Sequence, residues 1–164
     1  VEQLLRAAAL ENTVLGADER ADLSAIAREV GGFLAPLAVR AGVDLGMDGG
    51  EQPVRVHGRA EILFHAVRNM VENALAHAPA GSAVTIRIDP WPTPGVRVID
   101  HGPGIPPSLR ESVFQRFWQG RGDRRGSGAG LGLSIVARAA VLHGGSVGIE
   151  DTPGGGATVV LRLP

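Results

Sequence analysis

Three groups of residues in this 164-residue chain have types and spacings that could do chemistry. Residues 126 to 133 read GSGAGLGL and run into the apolar stretch SIVARAAVL. Four glycines at alternate positions before a helix leave N–H groups bare at the positive end of its dipole, an arrangement suited to phosphate. The other reading is that they only let a loop turn or two backbones approach. No Gly-Lys-Ser or Gly-Lys-Thr closes the segment and no strand precedes it, so the two commonest nucleotide loops are excluded. In VIDHGPGIP, Asp100 ends an alternating run, followed by Gly102 and Gly104. Its carboxylate could accept a hydrogen bond from an exocyclic amine such as that of adenine, with a ring lying against the glycines, or it could simply close a turn. In LFHAVRNMVENALAH, His65, Asn69 and Asn73 recur every fourth residue on one helical face. An asparagine amide offers Mg²⁺ a neutral oxygen and a phosphate an N–H, without adding negative charge beside a triphosphate. The alternative is a solvated polar face.

The elements that must hold these groups follow from periodicity. Leu4, Leu5, Ala8, Asn12 and Leu15 mark the last turns of a helix stopped at Gly16, read as the remnant of a helical hairpin or coiled coil, against the alternative of a plain amphipathic helix docked on its own domain. A second helix is expected from the N-cap Asp22 to about Arg40, with Pro36 loosening its last turns. Short strands are expected at 43–45 and 54–56, then a long helix over 59–77 ended by Ala78-Pro79 and Gly81. Residues 83–89 and 95–100 alternate and form a hairpin across PWPTP. From His101 to Ala129 the chain is loop, rich in Gly, Pro and Arg around SVFQRFW. A helix over about 130–143 and a hairpin of SVGIED and ATVVLRLP complete the chain. Helices, hairpin, loop, helix and hairpin in that order predict an α+β fold, a two-layer sandwich.

Composition narrows the function classes. With 44% hydrophobic residues the chain can bury a core. A net charge of -1 gives no footprint for nucleic acid, and the absence of cysteine removes thiol catalysis, thiolate metal sites and disulfides. No apolar run approaches the roughly 20 residues of a membrane span, so the cytoplasm is the expected compartment. The chain opens on Val1 rather than Met and is expected to be a piece of something longer.

In order along the chain, NMVENA (69–74), DHGPGI (100–105), FQRF (114–117) and GAGLGL (128–133) resemble the N, G1, F and G2 boxes of bacterial sensor histidine kinases. The closing GGGATVVLRLP resembles the last hairpin of their catalytic domain. The resemblance covers 22–164. It implies the Bergerat ATP-binding fold, a mixed and mostly antiparallel sheet backed by helices, with an ATP lid at about 102–129. It further implies a stub of the dimerisation hairpin at 1–16 and a catalytic and ATP-binding domain at 17–164. Carried over by position, Asn73 would ligate Mg²⁺, Asn69 would contact phosphates and Asp100 would bind the adenine amine beside Gly102, Gly104 and Ile105. Gly128, Gly130, Leu131 and Gly132 would close on the phosphates, and Thr158 would lie at the ATP site. Arg116 would reach the γ-phosphate, against the alternative of a solvated lid arginine. Phe114 and Phe117 read as lid anchors, and Trp118 as an extension of that anchor or a partner contact.

Two features depart from the family pattern. Where members carry Lys or Arg and then an aromatic after the second Asn, this chain has Ala76 and His77. A phosphate contact is missing, for which Arg121, Arg124 or Arg125 could substitute, while His77 could stack on adenine or cap its helix. In addition, His57, His65, His77, His101 and His143 are followed by Gly, Ala, Ala, Gly and Gly, so none has the acidic neighbour of a phosphoacceptor. The expected function is therefore Mg-ATP binding and γ-phosphoryl transfer to a histidine on a hairpin outside this chain. The implied partners are that hairpin in a homodimer and a response regulator, with any membrane attachment lying upstream. The alternatives are an ATPase of the gyrase and chaperone type, an anti-sigma serine kinase, and a pseudokinase that binds partners without nucleotide.

Overall fold

The computed structural model describes residues 1–118 and 132–164. Helix α1 (Glu2–Glu11) leads by a loop to a three-residue strand, β1 (Arg20–Asp22), which pairs antiparallel with β3 (Arg55–His57). Between them lie α2 (Leu23–Ala41) and β2 (Asp44–Asp48). Asp22 caps α2 as its sequence position requires: Oδ1 accepts from Ser24 N at 3.0 Å. The same oxygen accepts from Val54 N at 3.0 Å, tying the cap to the approach of β3. Such a cap contributes about 0.5–2 kcal/mol. Pro36 does not end α2, which runs on to Ala41 and closes at Gly42, a left-handed residue (φ 67°). A row of buried residues, from Leu23 through Val30 and Leu34 to Ala38, keeps that helix packed past the missing N–H.

Helix α3 (Ala60–His77) follows β3, and the hairpin β4 (Ala83–Asp89) and β5 (Gly95–Ile99) comes next. After two short 3₁₀ turns at Pro107–Leu109 and Ser112–Phe114, helix α4 (Gly132–Leu142) leads into the hairpin β6 (Ser146–Asp151) and β7 (Ala157–Arg162). The main sheet has the order β2-β4-β5-β7-β6, with β2 parallel to β4 and the other pairs antiparallel. This is the mixed, mostly antiparallel α+β sandwich expected. Beyond expectation, β1 is a strand and β2 extends to Asp48.

One face of the sheet is apolar because strand residues alternate: Val84, Ile86 and Ile88 on β4 face the same layer as Val96 and Val98 on β5. Against them pack Leu63, Val67, Met70 and Ala74 of α3 and Val136 and Ala140 of α4. Full burial of each large side chain contributes about 1.5–3 kcal/mol. The opposite face is polar. Across it Arg97 pairs with Asp89 at 2.5 Å and with Glu150 at 2.6 Å, and Arg162 joins Glu150 at 2.9 Å.

Candidate functional site

The site forms where the C-terminal half of α3 faces the end of β5 and the start of α4. Asp100 follows the last residue of β5 and is buried. Its Oδ1 accepts from Gly102 N at 2.9 Å and from Ala157 N at 3.2 Å, so this oxygen does close a turn and also ties it to β7. Oδ2 has no hydrogen-bond partner among the described residues and can accept from a ligand. The two readings of Asp100 are thus compatible, one per oxygen.

Gly102 packs against the end of α3. A Cβ at this position would lie 2.7 Å from the carbonyl oxygen of His77, closer than any real side chain approaches. His77, the last residue of α3, is therefore neighbour to the 100–104 turn, as a base-stacking role requires. Gly104 has φ 75°, a left-handed conformation natural to glycine. Ile105 is partly buried against the core, and its carbonyl accepts from Arg110 Nε at 3.0 Å. Arg110 also pairs with Asp151 on β6 at 2.5 Å, so it clamps the loop of residues 105–110 to the sheet. Thr158, on β7 opposite Ile99, is buried and shares a 2.9 Å hydroxyl contact with Thr152.

At the other end of the site, Asn69 is buried on α3. Its Nδ2 donates to the His65 carbonyl at 2.8 Å, a bond back along its own helix. A Cβ at Gly132, the first residue of α4, would lie 3.4 Å from Asn69 Oδ1, so α3 and the start of α4 come together here. Asn73, one turn on from Asn69, is half-buried, with no hydrogen-bond partner among the described residues. Its amide oxygen is a hard, neutral donor of the kind Mg²⁺ takes. Among the described residues no three His, Asp or Glu side chains cluster as a metal site, so any ion here would draw most of its ligands from phosphate and water. Between Asn69 and His77 the helix rises about 12 Å, at about 1.5 Å per residue. Gly128, Gly130 and Leu131, with Arg121, Arg124 and Arg125, lie outside the described residues.

Arg116 is half-exposed and pairs with Glu11, at the C-terminal end of α1. Of the expected anchors, Phe114 and Trp118 pack against the core, whereas Phe117 is 61% exposed. The reason is local: Phe117 takes a left-handed φ of 62° in the turn that carries Trp118 inward. Three contributors escaped the sequence reading: Arg110, Gln3 and Glu11. Gln3 Nε2 reaches Asn69 Oδ1 at 3.5 Å, the outer limit of a hydrogen bond. Neither Gln3 nor Glu11 belongs to a motif, and their contacts span 66 and 105 residues of sequence; Arg110 stands in a Pro-rich loop with no periodicity to place it.

His65 completes the polar row on α3. Burial, then the neighbouring cations of Arg6 and Arg68, holds its imidazole below the ordinary histidine range, so it is neutral and its Nδ1 accepts from Arg6 Nη1 at 3.0 Å. Glu72 is turned to its own helix, where its Oε1 accepts from Arg68 Nε at 2.6 Å.

Comparison with known proteins bears on the family and the fold. Residues 58–164 match the family model described as histidine kinase-, DNA gyrase B- and HSP90-like ATPase. The chain is 42% identical over 128 residues to the signal transduction histidine-protein kinase/phosphatase MprB of Mycobacterium avium, covering 74% of this chain and 24% of that protein. It thus spans about a quarter of that relative's length. Among solved structures, the mycobacterial sensor histidine kinase MprB superposes with a TM-score of 0.74 at 29% identity, covering 89% of this chain and 96% of that one. Full-length ShkA in complex with AMPPNP superposes with a TM-score of 0.82 at 26% identity, covering 99% of this chain and 34% of that one.

Proposed function

The chain belongs to the histidine kinase-, DNA gyrase B- and HSP90-like ATPase family, and on that premise we propose that it is the catalytic and ATP-binding part of a sensor histidine kinase. It binds Mg-ATP and transfers the γ-phosphoryl group to a histidine on a dimerisation hairpin outside this chain, from which a response regulator is phosphorylated. The observation that carries this reading is the pairing of Asp100, with one carboxylate oxygen open beside Gly102 and His77, with Asn69 and Gly132 two helical turns away. One end suits an adenine amine and the other a phosphate.

Each residue then has a task. Asp100 Oδ2 accepts from the exocyclic amine, and His77 and Gly102 flank the ring. Asn69 and the start of α4 hold phosphate oxygens, and Asn73 offers its amide oxygen to Mg²⁺. Such an ion would offset negative charge on the phosphates. Arg116, once released from Glu11, supplies a cation for the charge carried by the γ-phosphoryl in flight. In the transfer, the bond from the γ-phosphorus to the β–γ bridging oxygen breaks, a phosphorus–nitrogen bond to the acceptor imidazole forms, ADP leaves and the imidazole proton passes to the base beside it. The pairing of Glu72 with Arg68 supports transfer over hydrolysis, since it leaves that carboxylate poorly placed to activate water.

Residues 1–16 are read as the end of the dimerisation hairpin; the superposition with full-length ShkA over 99% of the chain supports this. No helix among the described residues is long and apolar enough to cross a membrane. Cytoplasmic placement, with any anchor upstream, is part of the same proposal. The test is to incubate γ-labelled ATP with this chain alone and with this chain joined after the dimerisation hairpin of a sensor histidine kinase. The expected result is acid-labile label on the hairpin histidine only in the joined protein. Strong labelling of the chain alone, or steady hydrolysis lost on Glu72→Gln, would contradict it.

A further inference from the structure

Strand β2 ends the main sheet among the described residues, and of its residues only Leu45 is less than exposed. Asp44 N donates to Ser82 O, on the β4 side, at 3.0 Å. Main-chain groups alternate in direction along a strand, so the N–H and C=O of Leu45 and Met47 face outward from the sheet edge. These groups form a template for another strand. Beside them runs a groove of about 230 Å³ between α2 and β2, lined by Arg28, Gly31, Gly32, Leu45, Met47 and Ile86. The fold does not demand the two helical glycines. Neither has a left-handed φ. A Cβ at Gly31 would meet only Ile86 Cδ1, at 4.0 Å, and one at Gly32 nothing within 4 Å. Glycine weakens a helix interior relative to alanine; what the pair provides here is an open groove along the free edge.

We propose that the β2 edge docks an extended basic segment of a partner protein as an added antiparallel strand. A basic residue stands opposite each of Asp44 and Asp48, and the two apolar residues opposite Leu45 and Met47 turn into the groove. Main-chain bonds supply the attachment and alternate side chains the choice, as in strand addition generally. Charge selects the occupant. Among the described residues Asp44 has no ion-pair partner, and Asp48 has Arg87 at 3.7 Å, shared with Asp89 at 3.4 Å. The same carboxylates oppose a second copy of this chain: the antiparallel register that pairs Leu45 with Met47 sets Asp44 against Asp48, and like charges directly opposite destabilise a ladder. Met47, 38% exposed and flexible, adapts to the side chain laid beside it. Strand β4 separates β2 from β5, which leads to Asp100, so the proposal is independent of the nucleotide roles assigned above.

The test is an NMR titration of the isotope-labelled chain with the blocked peptide Gly-Arg-Val-Ser-Val-Arg-Gly, a form with Glu in place of both Arg, and a form N-methylated at both Val. The expected result is saturable shifts at the amides of Leu45, Met47, Gly31 and Gly32 with the first peptide, and none with the other two. The double change Asp44→Asn, Asp48→Asn should weaken binding roughly two- to thirtyfold, the effect of losing two exposed ion pairs. Gly32→Leu, which fills the groove, should abolish binding while its urea midpoint holds or rises. Amides unmoved by the arginine peptide, equal binding of either altered peptide, or full binding by folded Gly32→Leu overturns the proposal. So does a dimer of the chain alone in sedimentation that Met47→Pro dissolves, which would give the edge to a second copy.

Discussion

Asp100 allows its structural and ligand-binding roles to be separated, because its two oxygens face different tasks. Oδ1 holds Gly102 N–H and Ala157 N–H, and Oδ2 is left for the base. In Asp100→Asn an oxygen still serves the two N–H groups, while the new amide nitrogen meets the adenine amine donor to donor. A hydrogen bond to a charged acceptor is worth about 1.5–3 kcal/mol, so adenine nucleotide affinity should fall about 10- to 150-fold with little change in stability. In Asp100→Ala the buried Ala157 N–H and the part-buried Gly102 N–H lose their acceptor; the buried donor alone costs about 1–3 kcal/mol, so this variant should also unfold at clearly lower denaturant. Calorimetric titration with ADP and urea unfolding of both variants read the two effects independently. Inosine diphosphate, which carries a carbonyl where adenine carries the amine, supplies the control: the unaltered chain should prefer ADP and Asp100→Asn should not. The reasoning fails if Asp100→Asn binds ADP as tightly as the unaltered chain, or if it is destabilised as much as Asp100→Ala.

At Gly102 the Cβ of alanine would meet His77 O at 2.7 Å, and overpacking of this kind costs about 1–3 kcal/mol; Gly102→Ala should lower both the urea midpoint and ADP affinity, and an unchanged midpoint would contradict the contact. His143 is buried, its Nδ1 donating to Ala139 O at 2.7 Å and its Nε2 accepting from Arg59 N at 3.1 Å. Burial outweighs the Ala139 carbonyl and holds its folded pKa below the unfolded value of 6.5, so the folded state binds fewer protons. The stability His143 contributes is therefore full above about pH 6.5 and lost as pH falls from there through the folded pKa. Replacing it with Gln should flatten that part of the stability–pH curve, leaving the slope of the same sign from His65. For the aromatic anchors, Trp118→Ala should destabilise the protein more than Phe117→Ala, since only Trp118 packs on the core; equal effects in thermal unfolding would refute that assignment.

The parts legible in the sequence are those whose cause is local. Asp22 is a cap in the sequence and in the structure, and both hairpins announce themselves by alternation across turn residues. The row His65, Asn69, Asn73 needed only the helical period to share a face. Asp100 was legible in two ways, as a ligand acceptor or as the residue that closes a turn, and its Oδ1 does close the turn. What escaped is long-range. Strand β1 has three residues and no pattern of its own; it exists because β3 pairs with it. Pro36 was expected to loosen the last turns of α2, and the helix runs on to Ala41, close to the expected end at Arg40. Phe117 was assigned inward by residue type, but its backbone φ of 62° turns it outward. The apolar stripe of α1 was legible, while the faces of α3 and α4 that receive it were not. The pairing of Arg116 with Glu11 joins residues 105 positions apart, and no spacing rule reaches that far.

The central claim is that this site binds Mg-ATP with Asn73 as the protein's metal ligand. Calorimetric titration of AMPPNP into the chain and into its Asn73→Ala variant, each with Mg²⁺ and with chelator, tests it most directly. The account predicts that the unaltered chain binds more tightly with Mg²⁺ than without, and that Asn73→Ala removes this difference while keeping the chelator-state affinity. A chain that binds nothing, or an Mg²⁺ dependence that survives in Asn73→Ala, would contradict it.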